Sequence, residues 1–137
     1  MKLFITGSSG FIGFHLSKKL LDKGHSVHGF DAMNNYYDVK LKKARCKILN
    51  KYKKFSFTKG ILENQKTLSK SILKFKPQII IHLAAQAGVR YSIEKPRVYL
   101  DSNIIGTYNI IELAKKVNVK HLLIASSSSV YGANKKL

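Results

Sequence analysis

Short apolar runs alternate along the chain with stretches whose apolar positions recur every three or four residues. Runs of the first kind suit strands covered on both faces, and the second kind suits amphipathic helices. The alternation predicts βαβ units wound into a parallel sheet. Residues 2–6, 26–30, 55–58, 78–83 and 120–125 read as five strands. Residues 11–23 read as a helix with Phe11, Ile12, Leu16, Leu20 and Leu21 on one face and Gly24 as its C-terminal cap. Further helices are predicted over 38–52, which is very basic, over 65–75, stopped before Pro77, and over 97–117. The expected fold class is α/β, a doubly wound parallel sheet with strand order 3-2-1-4-5. Residues 1–137 read as one domain without repeats or linkers.

Composition adds charge to this picture. With 25 Lys+Arg against 7 Asp+Glu, the formal net charge is +18. Such a balance raises the possibility of nucleic acid. The basic residues, Lys42 among them, are dispersed over several predicted helices as a lysine-rich solvated surface, and aromatics are not interleaved with them in one recognition element, so no specific nucleic-acid partner is expected. Cys46 is the only cysteine and cannot form an internal disulfide, which leaves a cytoplasmic location as the expectation. The apolar start is interrupted by Gly7 and Gly10 and carries no small-residue cleavage pattern, so it is not read as a targeting segment. No apolar run approaches the roughly 18 residues that span a bilayer, and no membrane partner or metal site is expected.

The first candidate chemistry lies where the first strand turns into the first helix, at Gly7-Ser8-Ser9-Gly10-Phe11-Ile12-Gly13. Backbone N–H groups at a helix N-terminus receive phosphate there. Gly7 permits the tight turn, Gly10 permits close approach of the backbone to a pyrophosphate, and Gly13 lets the helix lie close on the sheet. Three spaced glycines alone are weak evidence, but here they follow a strand, open a helix and precede an acidic residue. That residue, Asp31, ends the second strand 18 positions beyond Gly13. A carboxylate there can accept hydrogen bonds from both adenosine ribose hydroxyls and repels a 2′-phosphate, which favours NAD over NADP. At the end of the fourth strand His82-Leu83-Ala84-Ala85-Gln86 presents small residues that leave room for a cofactor, with His82 read as a structural imidazole.

Together GSSGFIGFHL, FDAMNNYYDVKLKKAR, IHLAAQAGVRYSIEKP, DSNIIGTYNIIE and ASSSSVYGAN resemble the extended short-chain dehydrogenase/reductases, in particular their UDP-glucuronate 4-epimerase group. The resemblance covers nearly all 137 residues. It implies a Rossmann-like domain in which Gly7, Gly10, Phe11, Ile12, Gly13, Asp31, Leu83, Ala84, Ala85, Gln86 and Asn103 contact NAD. It further implies that Ser127 is the catalytic hydroxyl, and that Arg90, in a loop, and Ser128 face the UDP-sugar substrate. In related dehydratases an Asp-Glu pair occupies the positions that are Ser128 and Ser129 here, so epimerisation at C4 is expected over dehydration. A homodimer is implied for the full-length enzyme.

Two departures qualify the resemblance. The family's catalytic tyrosine, with a lysine four residues later, is expected beyond the serine run. The matches at Tyr36-Lys40, Tyr91-Lys95 and Tyr131-Lys135 read as chance, so the chain is expected to stop short of the last strands, the substrate lobe and the catalytic base. Relatives also place an aspartate where Ile61 stands, which leaves the adenine to be held by packing or by Glu63 or Asn64.

Overall fold

The computed structural model describes residues 1–133. Five strands, β1 (Lys2–Thr6), β2 (Ser26–Asp31), β3 (Phe55–Lys59), β4 (Ile79–His82) and β5 (His121–Ile124), pair in parallel in the order β3-β2-β1-β4-β5, as expected from the alternation. The intervening helices are α1 (Phe11–Asp22), α2 (Val39–Leu49), α3 (Gln65–Phe75), α4 (Val89–Glu94), α5 (Pro96–Tyr99) and α6 (Gly106–Lys116). Side chains of a strand alternate between faces, and here both faces are apolar. Leu3, Ile5, Val27 and Ile81 join Phe14 and Leu21 of α1 and Leu49 of α2 in one core. Phe4, Phe30 and Ile80 join Leu68 and Ile72 of α3 and Ile110 and Leu113 of α6 in the other. The chain changes faces after β3, so the strand order reverses between β1 and β4, which opens a crevice at their carboxyl ends.

The buried face of α1 differs from the expected one. Phe11 and Ile12 are exposed, and Gly13, Phe14, Ser17 and Leu21 face the sheet. The reason is steric: a Cβ at Gly13 would stand 2.0 Å from the Gly7 carbonyl oxygen, so the helix lies too close to the strand for large side chains at its start. Its other end closes as expected. Gly24, at φ +79°, donates to the Leu21 carbonyl and His25 to that of Leu20, the paired arrangement of a Schellman cap.

The basic helix, expected over 38–52, runs over Val39–Leu49: Asp38 caps its start, its carboxylate accepting the Lys40 N–H at 2.7 Å, and Asn50 closes its end, donating its N–H to the Cys46 carbonyl at 2.9 Å. The expected helix over 97–117 starts at Pro96 and is divided, with a π-helical segment at Leu100–Ile105 between α5 and α6. The first turn of α6 packs on the loop after β3. A Cβ at Gly106 would come within 2.6 Å of the Leu62 Cβ, and the buried Asn109 amide donates to the Leu62 carbonyl at 3.0 Å.

One hydroxyl ties β1, β4 and α6 together. Thr6 Oγ1 accepts the N–H groups of Leu83 and Ala84, both at 3.1 Å, which uses both of its lone pairs. Its own proton must then go to His82 Nδ1, 2.7 Å away. His82 therefore carries its proton on Nε2 and donates it to Thr107 Oγ1 at 3.0 Å. Burial lowers the His82 pKa to about 4. His28, enclosed by Ser56, Thr58 and Ser71, is likewise lowered to about 4, by burial and by the nearby Lys74 ammonium.

Thr6→Val keeps the shape but leaves two N–H groups and an imidazole nitrogen unpaired. It should cost about 2–4 kcal/mol in urea denaturation, and a loss under about 1 kcal/mol would contradict the network. Both histidines fold with pKa values below the unfolded 6.5, so the unfolded chain binds more protons between those values. Stability should be full above about pH 6.5 and fall as pH drops toward about 4, by on the order of 2 kcal/mol per imidazole at about pH 5. Urea midpoints that stay level across this range would overturn the assignment of neutral, buried imidazoles.

Candidate functional site

The crevice at the carboxyl ends of β1 and β4 is a cleft of about 380 Å³. The β1–α1 turn forms one wall. Gly7, at φ +69°, donates its N–H to the Phe30 carbonyl at 2.8 Å, and Gly10 donates to the Gly7 carbonyl at 3.0 Å. A Cβ on Gly7 would meet the Ala84 backbone nitrogen at 3.0 Å, so the turn rests directly on the end of β4. Gly10 is the N-cap of α1 and supplies no capping side chain. The first-turn N–H groups of Phe11, Ile12 and Gly13 thus have no intrahelical acceptor and sit at the positive end of the helix dipole. Although the Phe11 and Ile12 side chains point outward, their backbone donors remain placed for an anion.

Asp31 stands beside this turn, almost fully buried. Its Oδ2 accepts the Ser9 N–H at 3.0 Å and its Oδ1 accepts the Met33 N–H at 2.8 Å. One lone pair on each oxygen remains for another donor. The Met33 contact is made from a left-handed backbone, φ +53°, a conformation uncommon for a side chain of this kind. Gly7, Gly10, Asp31, Leu83, Ala84, Ala85 and Gln86 all line the cleft, which brings together seven of the residues expected there.

Asn103 has a different relation to the cleft. Its Oδ1 accepts the Gln86 N–H at 2.7 Å and its Nδ2 donates to the Gln86 carbonyl at 2.9 Å, so its amide pairs with the Gln86 backbone as a neighbouring strand would. The residue lies in the π-helical segment, whose wider turn places it there; such segments recur at functional sites. Asn103 shapes the cleft by holding Gln86. Arg90 lies in the first turn of α4 and is exposed, which corrects the expected loop to a short helix.

Other expected residues fall differently. Ser127 follows β5, and its carbonyl accepts the Val130 N–H at the start of a short 3-10 turn, Ser128–Tyr131. The side chain of Ser128, expected to face substrate, lies outside the described residues, as do the Ser129 side chain and Lys135. Glu63 and Ile61 both line the cleft, whereas Asn64 caps α3 through the Thr67 N–H at 3.0 Å.

The cleft also contains residues that sequence reasoning missed. Lys42, expected on a solvated helix face, is only 4% exposed. Its ammonium donates to the Asn34 carbonyl and side-chain oxygens at 2.8 and 2.6 Å and lies 4.0 Å from the centre of the Tyr37 ring. Burial lowers its pKa, opposed by the Asp31 charge. Three residues on, Arg45 donates to the Ser9 carbonyl at 3.3 Å. Spacing of three places both on one face of α2, but Lys40 and Lys43 share that spacing, so it does not set them apart in the sequence. Among the described residues there is no group of three or more metal-binding side chains, and no helix is long and apolar enough to cross a membrane.

Comparison with known proteins places this arrangement. The chain is 54% identical over 134 residues to Protein CapI of Staphylococcus aureus, covering 98% of this chain and 40% of the relative. It is 51% identical over 137 residues to a Rhizobium meliloti (strain 1021) protein called "Probable UDP-glucuronate 4-epimerase", covering 100% of this chain and again 40% of the relative. The chain thus spans about two fifths of the length of these curated relatives. A Bacillus cereus UDP-glucuronic acid 4-epimerase variant, crystallised with a fluorinated UDP-glucuronic acid and NAD, superposes with a TM-score of 0.88 at 33% identity, over 98% of this chain and 42% of that one. The chain belongs to the family described as GDP-mannose 4,6 dehydratase, whose sequence profile matches residues 4–137.

Proposed function

We propose that this chain is the NAD-binding part of a sugar-nucleotide epimerase that inverts C4 of UDP-glucuronate. The observation that carries the cofactor assignment is Asp31, buried at the end of β2 with a lone pair left on each oxygen, next to a helix start whose N–H groups are uncapped. These features fit the two ends of an adenosine diphosphate: ribose hydroxyls donate to the carboxylate and the pyrophosphate accepts from Phe11, Ile12 and Gly13. Leu83, Ala84, Ala85 and Gln86 line the cleft beside the β1–α1 turn. Ile61 offers adenine an apolar surface, with Glu63 as the nearby acceptor. When bound, NAD supplies a reversible hydride acceptor for the sugar carbon.

On this reading Ser127 hydrogen-bonds the reacting sugar oxygen and Arg90 meets the uronate or a phosphate with its planar fork. Ser128 stands on the substrate side, and Ser128-Ser129 supply no carboxyl pair for eliminating water. Asn103 acts through Gln86 as a positioning residue. The support for a uronate as substrate is the Rhizobium meliloti relative and the Bacillus cereus neighbour. Exposed Val89, Ile93, Ile104 and Tyr108 around α4 and α6 offer an apolar surface for a homodimer.

Titration calorimetry of the chain should show NAD binding tighter than NADP. Asp31→Asn should weaken NAD at least tenfold, about 1.4 kcal/mol, and narrow the difference between the cofactors. Equal or tighter NADP binding by the unaltered chain would sink the assignment. For the activity, a protein of the relatives' length that contains this chain should convert UDP-glucuronate to UDP-galacturonate, followed by NMR of the sugar. A 4-keto-6-deoxy product from UDP-glucose, or no change in UDP-glucuronate, would remove the epimerase reading.

A further inference from the structure

A second cleft, of about 670 Å³, lies on the α3 side of the sheet, lined by residues of β2, β3 and α3. It shares no lining residue with the cleft at the strand ends. Its volume is in the ordinary range of small-molecule sites. Elsewhere this face of the sheet is apolar, with Phe4, Phe30 and Ile80 under α3 and α6. Toward the β3 edge it becomes polar, because Ser56 and Thr58 alternate onto this face and join His28.

We propose that this cleft is an anion site for a small phosphate-bearing molecule. Every polar side chain lining it is a hydroxyl, an imidazole or an ammonium, and none is a carboxylate or carboxamide. The floor has a proton to give. Ser56 contacts His28 Nδ1 at 2.7 Å, Ser71 and Thr58 contact Nε2 at 2.8 and 3.1 Å, and Ser71 lies 3.2 Å from Thr58 as its donor. With the imidazole proton on Nδ1, His28 donates to Ser56, and the Ser56 proton is left over. With it on Nε2, Ser56 donates to Nδ1 and Ser71 to Thr58, and the Thr58 proton is left over. Either tautomer of neutral His28 thus leaves a hydroxyl proton for a ligand.

The rim supplies charge. Lys66, Lys70 and Lys74 recur at every fourth position of α3, which places them on one helix face. Like charges at this spacing repel, and none of the three forms an ion pair among the described residues. A multiply charged anion relieves that repulsion while accepting from the hydroxyl floor. A carboxylate ligand answers the charge with fewer acceptor atoms, and phosphate oxygens match hydroxyls and ammonium groups together.

The test is a titration of the isotopically labelled chain with inorganic pyrophosphate and, separately, with glucose 1-phosphate, at about 150 mM salt, where attraction to scattered surface lysines is largely screened. Saturable shifts of the Ser56, Thr58, Lys70 and Ser71 amides are expected, and the tighter ligand tells free phosphate from phosphate ester. Lys70→Ala/Lys74→Ala should weaken binding at least tenfold without lowering the unfolding midpoint at neutral pH, since both side chains are exposed and their removal relieves repulsion. Ser56→Ala should weaken it as well while leaving the His28 ring in place. Non-saturating shifts, shifts confined to Gly7 through Gly13, or undiminished binding by the double variant would each overturn the proposal.

Discussion

The turn between β1 and α1 has no room for a side chain at Gly7 or Gly13, and several other segments are placed by that fact. Gly13 sits against the Gly7 carbonyl, Gly7 against the backbone of Ala84, and Gly29 of β2 against the Ser8 hydroxyl, which a Cβ would approach to 2.5 Å. Close packing of backbone on backbone holds α1 flush with the sheet and directs its first N–H groups outward at the strand ends. It also leaves Phe11 and Ile12 nowhere to go but the surface. Thr6, one residue before the turn, joins the same spot to β4 and, through His82, to α6. The floor and two walls of the cleft thus depend on a few contacts too short to tolerate an added carbon.

Within that frame polar groups are spent on the backbone as much as on a ligand. Asp31 holds two N–H groups, Asn103 pairs with both backbone groups of Gln86, Asn109 holds Leu62 and Lys42 holds Asn34. Each interaction fixes a loop whose own backbone has no ladder to join, and buried backbone groups need such partners. The motif Asn103-Ile104-Ile105-Gly106-Thr107-Tyr108-Asn109 is explained in this way, each of its four small or polar positions making its own tertiary contact.

Most of the fold was legible in the sequence because buried parallel strands and amphipathic helices write their periods plainly. All five strands follow from short apolar or alternating runs, their order from the doubly wound topology that alternating strands and helices imply, and the glycine turn with Asp31 marked the cleft. What escaped was set by tertiary contact. Apolar periodicity put Phe11 and Ile12 on the buried face, but it carries no information on how near a glycine lets two backbones come. Lys42 read as a solvated charge because nothing local shows that Tyr37 and Asn34 fold over it. Arg90 read as part of a loop because α4 is only 6 residues long, too short for a periodic signal.

The π-helical segment has a consequence for register. An α-helix advances about 100° per residue, so the extra residue in Leu100–Ile105 acts as a phase shifter between two grips, Asn103 on Gln86 and Gly106 to Asn109 on Leu62 and His82. Deleting one residue there would let the segment relax to ordinary helix with better hydrogen bonding. It would also turn Asn103 about 100° away from Gln86, so the helix would gain regularity while the cleft lost a wall.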